Sequence, residues 1–140
     1  IHQRIGKAFA GKDRITGRYT TGLGEGRYYV EIYNPLFVKH IGFTAYPGTL
    51  NLKVNLEEWK RFIMTNGLNK IPGFKKEGRS FGPLKFLKVK LDDIECAIVI
   101  PERTSHDENI IEIISSENLR KRLNMSQGKK VTIYKRYKYP

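Results

Sequence analysis

The chain has 140 residues, 39% of them apolar, and sets 26 Lys and Arg against 14 Asp and Glu for a net charge of +12. That length suits one domain with a self-sufficient core; the single Cys96 excludes an internal disulfide framework and a multi-cysteine zinc site, and no apolar run approaches the ~20 residues of a membrane-spanning helix. The excess positive charge favours anionic partners, whether nucleic acid, an acidic surface or a nucleotide triphosphate, without choosing among them.

Residues 1–14 (IHQRIGKAFAGKDR) show no sustained periodicity and read as a linker or the remnant of a preceding N-terminal domain. From Ile15 the texture changes to short segments rich in Val, Ile, Tyr, Thr and Phe between Gly and Pro, which predicts strands at 15–21, 27–33, 49–54, 83–91, 95–100, 109–114 and 130–136. Asn34-Pro35 offers an N-cap with proline at the first helical position, then Leu36, Phe37, Val38 and Ile41 at helical spacing and Gly42 as a stop. Residues 56–65 put Leu56, Trp59, Phe62 and Ile63 on one side of a second helix, and Ser116 to Arg120 open a short third one ending near Leu123. The stretch 66–82 offers no anchor, so the strand expected there is unplaced. The run Cys96-Ala97-Ile98-Val99-Ile100 reads as core in a reducing cytoplasm. Many short strands, few helices and no βαβ alternation predict a mostly β chain folded as a barrel with decorations.

Four local features can carry chemistry. In Thr21-Gly22-Leu23-Gly24-Glu25-Gly26-Arg27, glycines at alternate positions leave backbone N–H groups uncovered, as a phosphate-cradling nest requires, with Arg27 and Arg18 available to neutralise an anion. The spacing is neither a Walker A loop nor a dinucleotide fingerprint, and a ligand-free hairpin uses the same glycines. In Pro47-Gly48-Thr49-Leu50-Asn51-Leu52, a strand from Thr49 sends Thr49 and Asn51 to one face and Leu50 and Leu52 to the other. Two neutral oxygens suit magnesium if nucleotide phosphates supply the negative charge; otherwise the pair faces solvent beside a turn. In Ile110-Ile111-Glu112-Ile113-Ile114 a carboxylate interrupts four apolar neighbours, so Glu112 either meets a specific partner or lies on a wet face. His106, in the loop after Pro101, reads as a surface residue. Glu117-Asn118-Leu119-Arg120, at a helix start, offers free N–H groups and a guanidinium for a phosphate or a base edge.

These features, in this order, resemble the archaeal CTP-dependent riboflavin kinases from about Gly17 to Val131. The anchors are Gly22 to Tyr28, Pro47 to Leu52, Ala97 to Pro101 with Thr104 and His106, Ile110 to Ile114, and Leu119-Arg120 before Gly128. The resemblance implies a small six-stranded Greek-key β-barrel of the cradle-loop type with a few short helices, spanning 15–138, and transfer of the CTP γ-phosphate to the riboflavin 5′-hydroxyl to give FMN and CDP. It implies nucleotide contacts on Leu23, Gly24, Glu25, Gly26, Arg27, Tyr28, Glu117, Asn118, Leu119 and Arg120. It places Mg2+ or another divalent cation on Thr49 and Asn51, and flavin contacts on Thr104 and Glu112. Glu112 then either fixes the flavin by accepting a hydrogen bond or takes the hydroxyl proton; both roles stay open. A cytoplasmic enzyme with no membrane partner is expected, and relatives that carry a helix-turn-helix domain before the barrel extend the expectation to DNA through residues before Ile1. A competing reading is a nucleic-acid-binding barrel: residues 118–140 hold eight basic residues and no acidic one, with Tyr134, Tyr137 and Tyr139 available to stack.

Overall fold

The computed structural model describes residues 13–22, 26–102 and 108–135. Leu23, Gly24, Glu25, Thr104, His106, Tyr137 and Tyr139, all singled out above, lie outside the described residues. The elements run β1 (Arg14–Thr20), α1 (Gly26–His40), β2 (Leu50–Val54), α2 (Leu56–Asn66), β3 (Asn69–Ile71), β4 (Phe74–Lys76), β5 (Arg79–Phe81), β6 (Leu84–Leu91), β7 (Ile94–Pro101), β8 (Ile110–Ser115), α3 (Leu119–Arg122) and β9 (Lys130–Lys135).

Six strands close into an antiparallel barrel in the order β6-β7-β8-β2-β1-β9, with β9 pairing back onto β6. The run β9-β6-β7-β8 is a Greek key: three consecutive antiparallel strands and a fourth returning beside the first. The long β6 makes closure work by dividing one edge, Leu84 to Phe86 pairing with β3 and Val89 to Leu91 with β9. The six-stranded barrel expected from the sequence is therefore the architecture observed.

Period-2 patterning fills the interior. Leu87, Val89 and Leu91 of β6, Cys96 and Ile98 of β7, Ile111 and Ile113 of β8, and Leu50, Leu52 and Val54 of β2 form one buried cluster, closed at a mouth by Trp59 and Phe62 of α2. Each such side chain contributes about 1.5–3 kcal/mol on burial. Helix α2 starts where the sequence predicts, because Asn55 Oδ1 accepts from the Glu58 amide at 3.0 Å as an N-cap. Cys96 lies in this interior, 2% exposed, and burial pushes its thiol up to about 12 from 9.0. The folded state therefore holds its proton more tightly than the unfolded chain, so this group's stability contribution is complete below pH 9 and is lost as pH rises from there toward 12. We expect Cys96 to resist iodoacetamide at pH 8 in the native protein and to react fully in denaturant; native labelling at the denatured rate would contradict this burial.

One prediction is corrected. Residues 27–33, read as a strand, belong to α1, which runs unbroken through the expected N-cap at Asn34 and the expected first turn at Pro35. Val30, Tyr33, Phe37 and Ile41 recur at helical spacing and are buried together against Phe86, Ala97, Val99 and Ile114 on the outside of the barrel. That packing overrides the β-type composition of Tyr28 to Tyr33. Asn34 does not cap; its amide clamps the following loop instead, Nδ2 donating to the Ala45 carbonyl at 3.0 Å and Oδ1 accepting from the Ala45 amide at 2.7 Å. The helix ends before Gly42 as expected, with the Gly42 amide turned back to the Phe37 carbonyl at 3.0 Å. The unassigned stretch 66–82 forms β3 and a small β4–β5 hairpin around a Glu77-Gly78 turn, both residues at positive φ (51° and 78°), the two-residue geometry that matches strand twist.

Candidate functional site

Strand register builds the site on the outer face of the barrel. Val99 pairs with Glu112, Glu112 with Asn51, and Asn51 with Thr20, so these four side chains form a row across β7, β8, β2 and β1. The apolar neighbours Leu50, Leu52, Ile111 and Ile113 point inward. The expected alternation at Thr49 to Leu52 is thus present, but Asn51 does not face solvent. It is 5% exposed, and its Oδ1 has no hydrogen-bond partner among the described residues.

What covers Asn51 is the glycine segment. A Cβ added to Gly22 would stand 1.9 Å from Asn51 Nδ2, and one added to Gly26 would stand 2.7 Å from Thr49 Oγ1 and 3.0 Å from the Thr49 amide. No side chain fits at either place, which explains two of the three alternating glycines by close approach. Gly26 opens α1, so the segment leads from a strand to a helix N-terminus rather than along the strand-to-strand hairpin read from the sequence. A helix start with exposed amides and a positive dipole end is a better anion site than a hairpin tip.

Beyond Thr49 the surface continues onto α3. Glu117, Asn118, Leu119 and Arg120 line a small pocket with Gly48 and Tyr46. Asn118 caps α3, its Oδ1 accepting from the Lys121 amide, and its Nδ2 donates to the Tyr46 hydroxyl at 3.1 Å. A Cβ on Gly48 would lie 3.6 Å from Arg120 Nη2, which brings that guanidinium beside the Thr49 turn. The other two basic candidates turn elsewhere: Arg27 pairs with Glu31 at 3.2 Å on the exposed side of α1, and Arg18 donates to the Gly128 carbonyl at 3.1 Å. Glu117 pairs with Arg122 at 3.1 Å.

On the opposite side of Asn51 lies Glu112, half-buried, and next to it Tyr29 of α1. Burial first, then the neighbouring Tyr33 and the Glu112 carboxylate, hold the Tyr29 hydroxyl well above the usual phenol range, so it remains a protonated donor at neutral pH. That hydroxyl is buried without a hydrogen-bond partner among the described residues. Tyr29 also lines an open cleft of about 860 Å³ between α1 and the β4–β5 hairpin, with Tyr28, Tyr33, Phe81, Pro83 and Glu102. The Tyr28 side chain belongs to this cleft, 58% exposed, its hydroxyl accepting from Arg79 Nη1 at 3.0 Å. Glu112 itself borders a smaller groove of about 340 Å³ beneath α2 with Trp59, Ile63 and Ile110.

The structure therefore brings Gly22, Gly26, Thr49, Asn51, Arg120 and Glu112 to one stretch of surface, out of segments up to 98 positions apart (120 − 22). Of the residues of the competing reading, Arg120 belongs to this patch, whereas Tyr134 lies on β9, in register with Arg14 of β1 and Lys90 of β6. Sequence reasoning missed Tyr46 and Tyr29, each one position from a segment it had marked, and the whole hairpin wall of the cleft, for which no motif exists.

Residues 19–134 match the family model CTP-dep_RFKase, whose description reads "Domain of unknown function DUF120". The chain belongs to the CTP-dependent riboflavin kinase family. Its relatives include proteins named riboflavin kinase from Pyrococcus furiosus, 44% identical over 134 residues (95% of this chain, 63% of that one), from Pyrococcus abyssi, 45% identical over 120 residues (85% and 57%), and from Archaeoglobus fulgidus, 42% identical over 123 residues (84% and 52%). The chain spans less than two thirds of the length of these family members. Among the described residues no helix is long and apolar enough to cross a membrane.

Proposed function

We propose that this chain is a riboflavin kinase that transfers the γ-phosphate of CTP to the 5′-hydroxyl of riboflavin, releasing CDP and FMN. The observation that carries this reading is the convergence of Gly22, Gly26, Thr49, Asn51 and Glu112 on one patch, bordered by α3 with Arg120 on one side and by the large α1 cleft on the other. Family membership supports the reaction class, and the family's name supports CTP as donor.

The donor set fits a magnesium ion. Thr49 offers a hydroxyl, Asn51 offers a buried carbonyl oxygen without a partner among the described residues, and Gly22 and Gly26 set no side chain of their own against either. Among the described residues no three His, Cys, Asp or Glu side chains cluster as metal ligands, so the negative charge would come from the phosphates and the remaining positions from water. Bound there, the ion would neutralise charge on the phosphates.

The protein's own part is positioning. Amides of residues 23–28 cradle the phosphates, Arg120 adds positive charge beside Thr49, and residues 117–120 with Tyr46 hold the rest of the nucleotide. Glu112 and Thr104 take the flavin, Glu112 accepting a hydrogen bond from the acceptor hydroxyl. That oxygen bonds to the γ-phosphorus as the bond from phosphorus to the β,γ-bridging oxygen breaks, CDP carrying away the electron pair and the hydroxyl proton leaving to solvent or base. DNA binding through residues before Ile1 remains a separate proposal, tested by salt-resistant operator binding of a longer chain.

The test is direct. The chain is incubated with riboflavin, a divalent cation and each of CTP, ATP, GTP and UTP, and FMN is resolved chromatographically. FMN forms with CTP and far less with ATP; its absence with every nucleotide and metal overturns the kinase reading, and equal rates with ATP overturn the donor assignment.

A further inference from the structure

We infer that the outer face of β1 and β9, together with Lys53 of β2, is a docking surface for the phosphate backbone of duplex nucleic acid, a property independent of the kinase reading and of base sequence. Strand register assembles it. Arg18 is directly opposite Lys53 on one side and Lys130 on the other, so three cations lie in one row across β2, β1 and β9. All three are exposed, and none forms an ion pair among the described residues. Like charges set opposite one another on a sheet cost stability. A face that keeps three of them together is fitted to a polyanion.

The basic surface extends beyond that row. Two residues along β1, Thr16 is opposite Thr132; two further, Arg14 is opposite Tyr134, whose other neighbour is Lys90 of β6. The cationic rows thus span roughly 10 Å across the strands and about 13 Å along β1. Between them lie threonine hydroxyls, groups that donate to phosphate oxygens in backbone contacts. Two carboxylates stand at the far margin, Asp13 next to Arg14 and Glu95 opposite Lys90. Arg18 Nη1 donates to the Gly128 carbonyl at 3.1 Å, which steadies the guanidinium and leaves its other donors for a ligand. Lys130 belongs to the basic C-terminal run read in the sequence, whereas Arg18 and Lys53 join it only through register.

Shape and composition choose among polyanions. None of the cavities described above is lined by Lys53, Arg18 or Lys130, so a small anion finds no enclosure here. A membrane surface takes up apolar side chains besides charge, and a protein partner needs an apolar centre to its interface. The large apolar side chains exposed among the described residues, Tyr28, Val38, Tyr46 and Met64, all lie outside β1, β2 and β9. Single strands are held by bases stacked on aromatic rings, and Tyr134, the aromatic residue of this face, is half-buried. A duplex asks for none of these. It presents one phosphate charge per ~1.7 Å of its axis to a flat basic surface.

The experiment titrates the chain against a labelled mixed-sequence DNA duplex, the corresponding single strand, and phosphatidylglycerol vesicles, over a range of salt concentrations. The test variant is the double Lys53→Glu, Lys130→Glu. Its control is Lys70→Glu with Lys85→Glu, which reverses another opposed lysine pair, between β3 and β6, and leaves the same net charge. Wild type binds the duplex more tightly than the single strand or the vesicles, and log K falls with log salt at a slope of roughly −3. The test variant binds the duplex about tenfold or more weakly, its slope shallower by about two, while the control stays close to wild type. Each new carboxylate stands opposite Arg18, so the thermal midpoint of the test variant stays level or rises. Lys53→Gln with Lys130→Gln, which removes charge without reversing it, weakens binding in the same direction by a smaller factor. Equal losses in test and control variants would show that net charge alone is at work and overturn the assignment. So would a wild type that does not bind the duplex, or one that prefers the single strand or the vesicles.

Discussion

Asn51→Ala lowers the turnover of riboflavin phosphorylation by about a hundredfold or more, a loss of roughly 2.7 kcal/mol of transition-state stabilisation, while the melting temperature stays level or rises. Two facts set these opposite signs. Among the described residues, the Oδ1 atom is the side-chain oxygen of β2 that is buried, unpaired and beside the glycine segment. An unpaired buried amide costs stability, on the order of 1–3 kcal/mol, so deleting it removes a penalty while creating little space. A residue kept at such a cost is expected to serve binding. Thermal melts and steady-state rates on the same preparation separate the outcomes: full activity with a lowered midpoint would make Asn51 a packing residue and remove the metal assignment.

The second large effect is at Gly22. A methyl group there meets Asn51 Nδ2 at 1.9 Å, closer than any real contact, and forces the amide out of the row it shares with Glu112. Gly22→Ala is therefore expected to cost about tenfold or more in turnover, the usual scale for displacing a positioned group, without unfolding a chain in which Gly22 itself is exposed. The decisive form is a cycle. If the methyl acts through Asn51, Gly22→Ala adds almost nothing in the Asn51→Ala background, whereas independent sites give additive losses. Additivity would mean that the glycine serves the loop rather than the amide.

How much of this was legible in the sequence differs by element, for physical reasons. The barrel strands were readable because burial on one face imposes a period of two: in 83–91 the apolar positions Leu87, Val89 and Leu91 are the ones found inside. Helix α1 was not, since Tyr28 to Tyr33 has strand-like composition and its helical period emerges only when Phe37 and Ile41 are counted. Pro35 misled further, being tolerated inside the helix where an N-cap reading puts it first. Strands β3, β4 and β5 have three residues each, too few to show any period. Within the site, the alternation of Thr49 and Asn51 was local and readable. The meeting of Asn51 with Gly22 and Glu112 depends on strand order and register, which no local pattern encodes; only the resemblance of the ordered motifs joined them in advance. The aromatic cleft had neither motif nor resemblance behind it and emerged from the packing of α1 against the hairpin.

The most direct test of a shared patch for nucleotide, cation and flavin is an anomalous difference map, at the manganese edge, from crystals grown with Mn2+, CDP and FMN. A single peak bonded to Thr49 Oγ1 and Asn51 Oδ1, with CDP toward Arg120 and the FMN phosphate toward Glu112, is the predicted result. Both ligands bound with the manganese away from Thr49 and Asn51 would contradict it.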